Sequence, residues 1–313
     1  MKVAVGNKEK GFFKSADGIN QVAYYIYTNP NVQPKGIVQI SHGMQEYVER
    51  YDDIAFYLAE HGYLVCGNDH LGHGSTAKEG DLGFMGEKDG YNNVVKDLHQ
   101  MTKLIKEKYP DLPLYLWGHS MGSFFCRYYA KLYGEELAGL IIEGTGGPNP
   151  LGGIGLGLTK LLIKLKGAKK PSPFIENLAF GSYTKRIPDA KTGKEWVTRD
   201  PELFQKYIED RQCAYSFTLA GYKDLMSVLN VVNAGDWAPA IRKDLPIYIF
   251  SGAEDPVGDY GKGVMAVYDM LVNAGVKDVE VKLYEDARHE VHNELIEVRD
   301  EMYANLLNWI EKH

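Results

Sequence analysis

Five consecutive residues, Gly118-His119-Ser120-Met121-Gly122, indicate the fold and the chemistry of this chain more strongly than any other segment. They follow a short apolar run at 113–117 that is typical of a strand, and they precede a helix-like run at 123–133. The two glycines let a strand and a helix cross closely, so that the serine between them projects alone above a sheet. The pattern therefore predicts a reactive Ser120 at a strand-to-helix turn. The simpler alternative is a tight turn in which the serine only caps the helix.

Strand-like and helix-like segments alternate on both sides of this turn. The other short apolar runs typical of strands are 36–41, 63–67, 139–143, 245–251 and 279–284. The remaining helix-like runs of this pattern are 51–61, 93–109, 263–273 and 294–312. Such alternation predicts an α/β fold with a mostly parallel central sheet flanked by helices. Ahead of it, the runs 11–14 and 21–27 flank the turn residues Ala16-Asp17-Gly18 and predict a β-hairpin.

Residues 146–238 break this alternation. The stretch opens with the loop-forming residues Gly146-Gly-Pro-Asn-Pro150 and has helix-like segments without a strand-helix-strand period. We therefore predict a helical cap (lid) at 146–238, inserted into a core formed by 1–145 and 239–313. Within the cap, residues 155–170 combine leucines with five lysines, which would suit transient contact with an anionic membrane or lipid surface. The simpler interpretation is a cap helix that packs on the core with its lysines in water.

Composition limits the possible partners and the compartment. The net charge of -7 argues against a nucleic-acid partner, because binding phosphates needs a basic surface. Cys66, Cys126 and Cys213 are odd in number and far apart, so we expect buried thiols in a reducing compartment. Residues 1–10 lack the apolar segment of a signal peptide, and no apolar run reaches transmembrane length. These features predict a cytoplasmic protein; they do not specify an oligomeric state.

A serine nucleophile needs an acid that can orient its base, and Asp255 is the first candidate. It lies just beyond the predicted strand 245–251. The carboxyl ends of parallel strands meet at one edge of a sheet, so this carboxylate should lie near Ser120. Glu254 and Asp259 compete with it for the role. The simpler interpretation of Asp255-Pro256 is a turn closed by the aspartate side chain.

The general base is predicted in the loop that follows the strand 279–284. His289 lies close to the end of that strand, and an imidazole near its ordinary pKa is a natural base at neutral pH. His292 is the rival, but we expect it at the start of the last helix. The spacing of these residues does not match the H-E-x-x-H pattern of zinc sites.

Two backbone N–H groups are candidates for binding the negative oxygen of the reaction. The loop 40–46 contains a His-Gly turn that would let the N–H of Met44 face the cavity, opposite the N–H of Met121. We expect His42 to hold this loop by hydrogen bonds and not to act as a base. Asp69, His70 and His73 have side chains that can bind a metal, but the glycines between them favour a tight turn. For the other histidines we expect a surface or packing role: His61, His99, His119 and His313.

Several motifs in the right order give this chain a family resemblance. They are Ser41-His-Gly-Met-Gln-Glu46, Arg50-Tyr51, Asn68-Asp-His-Leu-Gly-His-Gly-Ser75, Gly118-His-Ser-Met-Gly122, Ser251-Gly-Ala-Glu-Asp-Pro256 and Ala287-Arg-His-Glu290. The chain resembles the monoacylglycerol lipase and lysophospholipase group of the α/β-hydrolase superfamily, over roughly 1–145 and 239–313. In the cap, the loop 188–198 looks longer and more polar than in that group.

The resemblance implies both a site and an activity. By it, Ser120 is the nucleophile, Asp255 the acid and His289 the base, while Met44 and Met121 supply the oxyanion N–H groups. It implies an α/β-hydrolase fold and a small acyl ester as substrate, either a monoacylglycerol or a lysophospholipid. The reaction would need no metal and no cofactor.

Two other classes of function are alternatives to this one. The first is another hydrolase on the same scaffold: a thioesterase, a feruloyl-type esterase or a proline-type aminopeptidase. An aminopeptidase needs acidic residues for the substrate amine; the cap offers Glu202, Glu209 and Asp210 but also many lysines, so we favour esters. The second is a non-catalytic binding protein, which would usually lack one of the three catalytic residues.

Overall fold

A central sheet of eight strands organises the protein, in a computed structural model that describes residues 6–149 and 152–313. The strands are β1 Asn7–Lys14, β2 Gln21–Thr28, β3 Gly36–Ser41, β4 Tyr63–Asn68, β5 Leu114–His119, β6 Gly139–Glu143, β7 Ile247–Gly252 and β8 Val279–Tyr284. Their order across the sheet is β1-β2-β4-β3-β5-β6-β7-β8. The six strands from β3 to β8 are parallel, whereas the β1–β2 hairpin is antiparallel and joins the edge of β4. The predicted α/β fold and N-terminal hairpin are confirmed.

Helices cover both faces of the sheet. The α-helices of the described residues are α1 Asp52–Glu60, α2 Gly90–Lys108, α3 Met121–Tyr133, α4 Gly152–Lys166, α5 Pro173–Phe180, α6 Pro201–Glu209, α7 Leu219–Val232, α8 Lys262–Asn273 and α9 Ile296–Lys312. One hydrophobic core lies between the sheet and α2, α3 and α8, and the other lies between the sheet and α1 and α9. Successive residues of a strand point to opposite faces, so Leu116 of β5 enters the first core and Trp117 enters the second. Both faces are buried, which explains why the inner strands are mostly apolar.

The crossing of β5 and α3 fixes the turn between them. A Cβ atom on Gly118 would lie 2.5 Å from the carbonyl oxygen of Gly122 and 2.7 Å from Cys126 Sγ. A Cβ atom on Gly122 would overlap the carbonyl oxygen of Ser41, at the end of β3. Both glycines are therefore needed for close approach, as the sequence predicted, and the crossing brings the loop after β3 against the start of α3.

The chain between β6 and β7 forms four α-helices, α4 to α7. In the described part of 146–238, no residue belongs to a strand of the sheet. Helix α7 packs against α3 and α2, and α4 packs against α7. This arrangement supports the proposal of a helical cap at 146–238 on a core of 1–145 and 239–313. Residues 150–151 of that cap and 1–5 of that core lie outside the described residues. Helix α4 forms despite its glycines and ends before Gly167, whose φ is +92°.

Two predicted positions differ from the structure near the C-terminus. Strand β7 begins at Ile247 and not at 245, because Pro246 has no N–H to donate to a neighbouring strand. The expectation that His292 starts the last helix is wrong: it lies in a 3₁₀ turn, Val291–Asn293, ahead of α9. Among the described residues, every helix is too short or too polar to span a lipid bilayer.

The glycine at the crossing gives a direct test of this packing. We expect Gly122→Ala to lower the free energy of unfolding in urea by about 1–3 kcal/mol or more, because the added methyl overlaps backbone. The matched control is Gly157→Ala in α4, where a Cβ meets nothing within 4 Å. That substitution should raise stability by about 0.5–1 kcal/mol, since alanine favours a helix. An unfolding midpoint for Gly122→Ala equal to that of the wild type would contradict the packing described.

Candidate active site

Ser120 occupies a strained position at the tip of the turn between β5 and α3. Its backbone has φ 53° and ψ -123°, a combination that residues other than glycine rarely adopt and that costs about 1–3 kcal/mol. The turn is held because Ser120 N–H donates to the Glu143 carbonyl oxygen at 2.9 Å and Ser123 Oγ donates to the Ser120 carbonyl oxygen at 2.6 Å. The Ser120 side chain makes no capping hydrogen bond to α3. The simple capping interpretation is therefore wrong, and the hydroxyl is left available for chemistry.

His289 and Asp255 form a buried pair beside this serine. His289 Nδ1 lies 2.9 Å from Asp255 Oδ2, which also accepts from Ser251 Oγ at 2.8 Å. Asp255 Oδ1 accepts from the Val257 N–H at 2.9 Å. Burial alone would favour the neutral acid, but the His289 ring and these hydrogen bonds hold the pKa of Asp255 below its ordinary value. Asp255 is therefore charged and oriented, as an acid that fixes a histidine must be.

The two competing carboxylates do not take this place. Glu254 and Asp259 are both exposed at the surface, whereas Asp255 is fully buried. Of the three, Asp255 alone is hydrogen-bonded to His289 in the described part of the chain. The turn expected at Asp255-Pro256 also exists, because the Asp255 carboxylate accepts from the N–H two residues later.

Ser120 and His289 line the same cavity, whose volume is about 760 Å³. Its wall is formed mainly by apolar side chains from the core and from the segments between β6 and β7, including Phe124, Leu158, Leu178, Leu225, Met226 and Leu229. His289 Nδ1 is engaged by Asp255, so Nε2 is the nitrogen left to take a proton from Ser120. The described residues do not include a direct hydrogen bond between the Ser120 hydroxyl and this ring, a contact that often tightens only when substrate binds. The volume lies within the range of about 300–1,000 Å³ that small-molecule sites have.

The two predicted oxyanion donors also border the cavity. Met44 and Met121 both line it, and neither backbone N–H donates to an acceptor among the described residues. Gly43 brings the Met44 loop against the turn, since a Cβ on Gly43 would lie 3.0 Å from Ser120 Cβ. Met121 is the first residue of α3, where unpaired N–H groups and the positive end of the helix dipole favour an anion. This arrangement fits the oxyanion role that we predict for both residues.

Beneath the serine lies a buried polar network that sequence reasoning missed. Glu46 Oε1 accepts from Tyr51 OH at 2.9 Å, from His119 Nδ1 at 2.8 Å and from the Gly43 N–H. Glu46 Oε2 accepts from Arg50 Nη1 at 3.2 Å. Of the surface or packing role expected for His119, the surface role is wrong: the residue is 2% exposed, and its ring is also bound to a charged partner. The only signal in the sequence was the i,i+4 spacing of Glu46 and Arg50.

Ionic partners keep this network charged. Burial opposes charge on the His119 ring, but the carboxylates of Glu46 and Glu143 raise the pKa of His119 above its ordinary value. Burial likewise favours a neutral Glu46, but His119 and Arg50 hold the pKa of Glu46 well below its ordinary value. Arg50 also forms a two-pronged pair with Glu290, both distances being 2.7 Å. Buried charges that are paired in this way are very costly to break singly.

His292 is engaged elsewhere and is poorly placed to act as the base. Its Nδ1 lies 2.8 Å from Glu143 Oε1, and its ring stacks on Tyr51 with 4.5 Å between centroids. The other carboxylate oxygen of Glu143 accepts from Trp117 Nε1 at 3.1 Å. His292 does not line the cavity among the residues the structure describes. These contacts favour His289 as the base.

Among the described residues, two groups of three side chains could hold a metal ion: the buried Glu46, His119 and His292, and Asp278, Glu280 and His313 nearer the surface. Ligand atoms of Glu46, His119 and His292 lie within 4.8 Å of one another. However, both Glu46 oxygens already accept protein donors, one of them the positively charged Arg50, which an ion would have to displace. The cluster is therefore better explained as a hydrogen-bond network.

Asp69, His70 and His73, whose residue types could bind a metal, form the expected turn. Asp69 accepts from the N–H groups of Val48 at 2.9 Å and Ser75 at 2.7 Å. His42 Nε2 accepts from the His70 N–H at 2.9 Å, and its Nδ1 lies 2.8 Å from the Gly43 carbonyl oxygen. Burial lowers the pKa of His42 to about 4, so this histidine is neutral and structural, as predicted.

The segment 194–199 of the proposed cap touches the histidine loop directly. The N–H groups of His289 and Glu290 donate to the carbonyl oxygens of Trp196 at 3.3 Å and Val197 at 2.8 Å. The Trp196 ring packs against His289, with 5.0 Å between ring centroids and the ring planes tilted by 52°. The base is therefore held from the cap side as well as by Asp255. Nothing in the local sequence pattern indicated this contact.

Known proteins resemble this chain in sequence over nearly its whole length. A family model described as serine aminopeptidase, S33 matches residues 32–296. The monoglyceride lipase homolog of Monkeypox virus is 29% identical over 302 residues, covering 93% of this chain and 95% of that protein. The monoglyceride lipase of Rattus norvegicus is 27% identical over 298 residues, covering 95% of this chain and 88% of that protein.

A solved structure has a higher sequence identity to this chain than these two relatives. A highly thermostable carboxyl esterase from Bacillus coagulans, in complex with glycerol, superposes on this chain with a TM-score of 0.91 at 34% sequence identity. The superposition covers 97% of this chain and 98% of that one. The likeness therefore includes the segment 146–238 as well as the two parts of the core.

The buried network predicts a pH dependence of stability. In the folded protein the pKa of Glu46 lies well below its ordinary value of 4.5. The ionised carboxylate therefore contributes fully to the free energy of unfolding above pH 4.5, and this contribution is lost as the pH falls through the folded pKa. We expect Glu46→Gln to lower the free energy of unfolding at pH 7 by about 3 kcal/mol or more, because His119 and Arg50 lose their buried partner. Below pH 4.5 the difference from the wild type should shrink. Urea unfolding at several pH values measures both effects.

Glu202→Gln is the matched control for this substitution. Glu202 lies on α6 and pairs with Lys206 at the surface, where solvent screens the interaction. We expect its stability curve to follow that of the wild type at every pH. A Glu46→Gln variant that behaved in the same way would show that the network adds nothing to stability.

Proposed function

The chain belongs to the family described as serine aminopeptidase, S33, with an α/β-hydrolase fold, and from this premise we propose that it is an esterase that hydrolyses monoacylglycerols. The observation that carries the proposal is the Ser120 turn beside the His289–Asp255 pair, at the wall of a largely apolar cavity. The curated relatives named above are monoglyceride lipases, and the similar solved structure is a carboxyl esterase. Lysophospholipids, which also carry one acyl chain, are the nearest alternative substrates.

The reaction proceeds in two acyl-transfer steps. His289 Nε2 takes the proton of Ser120 as its oxygen attacks the ester carbonyl, and the N–H groups of Met44 and Met121 bind the resulting oxyanion. Asp255 holds the ring and stabilises its positive charge. His289 then gives the proton to the leaving alcohol, and the acyl-enzyme forms. Water attacks this ester by the same route and releases the fatty acid, so the balance needs water alone.

The family description raises the alternative of an aminopeptidase, which the cavity disfavours. Such an enzyme needs carboxylates that bind the substrate amine. The carboxylates that line the described cavity are Asp259 and Glu290, and Glu290 is already neutralised by Arg50. The acidic residues of 146–238 considered from sequence, Glu202, Glu209 and Asp210, are not part of the described cavity wall. An alkyl chain suits the apolar wall, because each buried CH₂ contributes about 0.8 kcal/mol.

Substitution of the three proposed catalytic residues tests the mechanism. We expect Ser120→Ala to abolish both ester hydrolysis and labelling by a fluorophosphonate probe, and His289→Ala and Asp255→Asn to lower kcat by about 10⁴-fold. Near-UV circular dichroism checks that each variant is folded. His292→Asn is the comparison, because His292 is bonded to Glu143 and not to Asp255. If His292→Asn loses kcat while His289→Ala keeps it, the base has been assigned to the wrong histidine.

A substrate panel distinguishes the esterase from its alternatives on the same scaffold. It contains monoacylglycerols of increasing chain length, a lysophosphatidylcholine, feruloyl and thioester substrates, and aminoacyl anilides. We expect the highest kcat/KM on a monoacylglycerol. A higher kcat/KM on an aminoacyl anilide would identify a peptidase, and a folded protein that turned over none of these and did not react with the fluorophosphonate would identify a binding protein.

We also propose that the cap meets a lipid surface. Helix α4 carries Lys160, Lys164 and Lys166, and among its exposed side chains are Ile154, Leu161 and Leu165. Helix α5 adds exposed Phe174 and Leu178. Ile154 and Leu178 also line the cavity, so the apolar patch is continuous with the cavity wall. Exposed leucines together with lysines suit an anionic lipid surface, where the substrate would enter.

Vesicle binding tests this surface. We expect a Leu161→Ser and Leu165→Ser double variant to bind vesicles containing phosphatidylserine at least about tenfold more weakly, because apolar area is lost from the interface. Binding of the wild type should weaken at high salt. Leu132→Ser, on α3 and 47% exposed, is the matched control and should bind like the wild type. Equal binding by the double variant would place lipid contact elsewhere.

We further propose a cytoplasmic location. Cys66, Cys126 and Cys213 are all free and buried, and burial raises the pKa of all three thiols. Thiols in this state are typical of a reducing compartment.

A further inference from the structure

The loop between β3 and α1 contains a glutamine that is held by the cap. We propose that Gln45 is a positioning residue that couples the helical cap to the oxyanion-binding N–H of Met44. The inference rests on the proposed function, because it assigns a partner to the oxyanion loop of that same reaction. The residue acts through its neighbour and needs no contact with the reacting atoms.

The backbone of Gln45 is the first observation. Its φ is +60°, in the left-handed region that glycine favours and that other residues seldom occupy. The residue is also 3% exposed, so water does not relieve this conformation. A strained residue persists only where its surroundings determine its position, and such positions cluster at functional sites.

The side chain supplies the determining contacts, and both come from the cap. The Gln45 amide nitrogen donates to the carbonyl oxygen of Tyr215, and its amide oxygen accepts from Lys194 Nζ at 2.9 Å. Lys194 also pairs with Glu176 at 3.3 Å, and Glu176 accepts from Ser216 Oγ at 2.6 Å. The amide is therefore clamped between two cap segments that are tied to each other.

Met44 lies between two anchored neighbours as a result. On one side, the Gly43 N–H donates to the buried Glu46 carboxylate. On the other, Gln45 is fixed by Tyr215 and Lys194. Oxyanion donors accelerate a reaction when they are aimed before charge develops. The direction of the Met44 N–H therefore depends on the cap being docked, and a cap that moved away would leave the loop free to relax.

Kinetics of three variants test the coupling. Gln45→Ala removes both side-chain hydrogen bonds but keeps the unfavourable φ at this position. Gln45→Gly removes the same hydrogen bonds and also relieves the backbone strain. Lys194→Met removes only the hydrogen bond from Lys194 and leaves the sequence of the oxyanion loop unchanged. With a p-nitrophenyl ester we expect kcat to fall about 10- to 100-fold in Gln45→Ala and in the same direction, by less, in the other two. KM should stay within about threefold, and the pH profile of kcat should not move, because His289 and Asp255 are untouched.

A transition-state analogue separates positioning from a merely structural role. A trifluoromethyl ketone forms a hemiketal with the serine, and its negative oxygen would take the oxyanion position. We expect its binding to weaken in each variant by the same factor as kcat/KM. Tyr47→Phe is the matched control: it removes the 2.7 Å hydrogen bond from Tyr47 to Asp210, another contact between this loop and the cap, and Tyr47 is not in the described cavity wall. It should keep kcat and analogue binding.

Failure of the Gln45 coupling and failure of the proposed esterase function give different results. A wild-type protein that neither hydrolyses esters nor reacts with a fluorophosphonate would overturn both ideas. An active wild type whose kcat survives within twofold in Gln45→Ala and Lys194→Met would overturn the coupling alone. A change confined to KM would instead make Gln45 a substrate contact, and would also overturn it. If Gln45→Ala does not fold, Lys194→Met decides the question.

Discussion

The close crossing of β5 and α3 is the constraint on which the rest of the site depends. The backbone at Gly122 has no room for a side chain beside the Ser41 carbonyl oxygen, so the end of β3 is pressed against the start of α3. This contact places the loop after β3 beside Ser120, whose backbone is strained. Because β7 and β8 run parallel to β5, the loops that carry Asp255 and His289 reach the same edge of the sheet. The geometry of the reaction is thus set by backbone contacts before any catalytic side chain is considered.

A network of buried ion pairs stabilises the loops at this edge of the sheet. Glu46 and Glu290 lie on different loops, yet both are bound to Arg50, and Glu46 is also bound to His119 beside the serine. Removing any single charge would leave its partner buried and unpaired, which costs far more than a surface ion pair contributes. The network therefore opposes independent movement of the oxyanion loop, the serine turn and the histidine loop. Such rigidity is useful where donors must already point at a charge that has yet to form.

Much of the fold and the proposed triad could be predicted from sequence, and the reason is that their signals are local. The strand-helix alternation, the glycines around Ser120 and the position of Asp255 after a strand are all read within short windows. What was missed depends on contacts between distant residues: Glu46 and His119 are 73 positions apart, and Gln45 and Lys194 are 149 apart. His119 was assigned an ordinary surface or packing role because its own neighbours in sequence show no partner. The place of His292 was missed because a 3₁₀ turn and a first helical turn have similar sequences.

The backbone hydrogen bonds from His289 and Glu290 to the segment 194–199 have a consequence for how such proteins can diversify. An inserted region is often regarded as a module that can be exchanged to alter specificity while the core keeps its chemistry. Here, two carbonyl groups of the insertion help to hold the loop of the proposed base, and its Trp196 ring packs against that base. An insertion taken from another protein would have to reproduce this short strip, the backbone of 194–199, so that the same hydrogen bonds to the histidine loop form, whatever the shape of its own substrate pocket. Evolution of new substrate preferences on this scaffold should therefore proceed mainly through the helices flanking the strip, with the strip itself inherited.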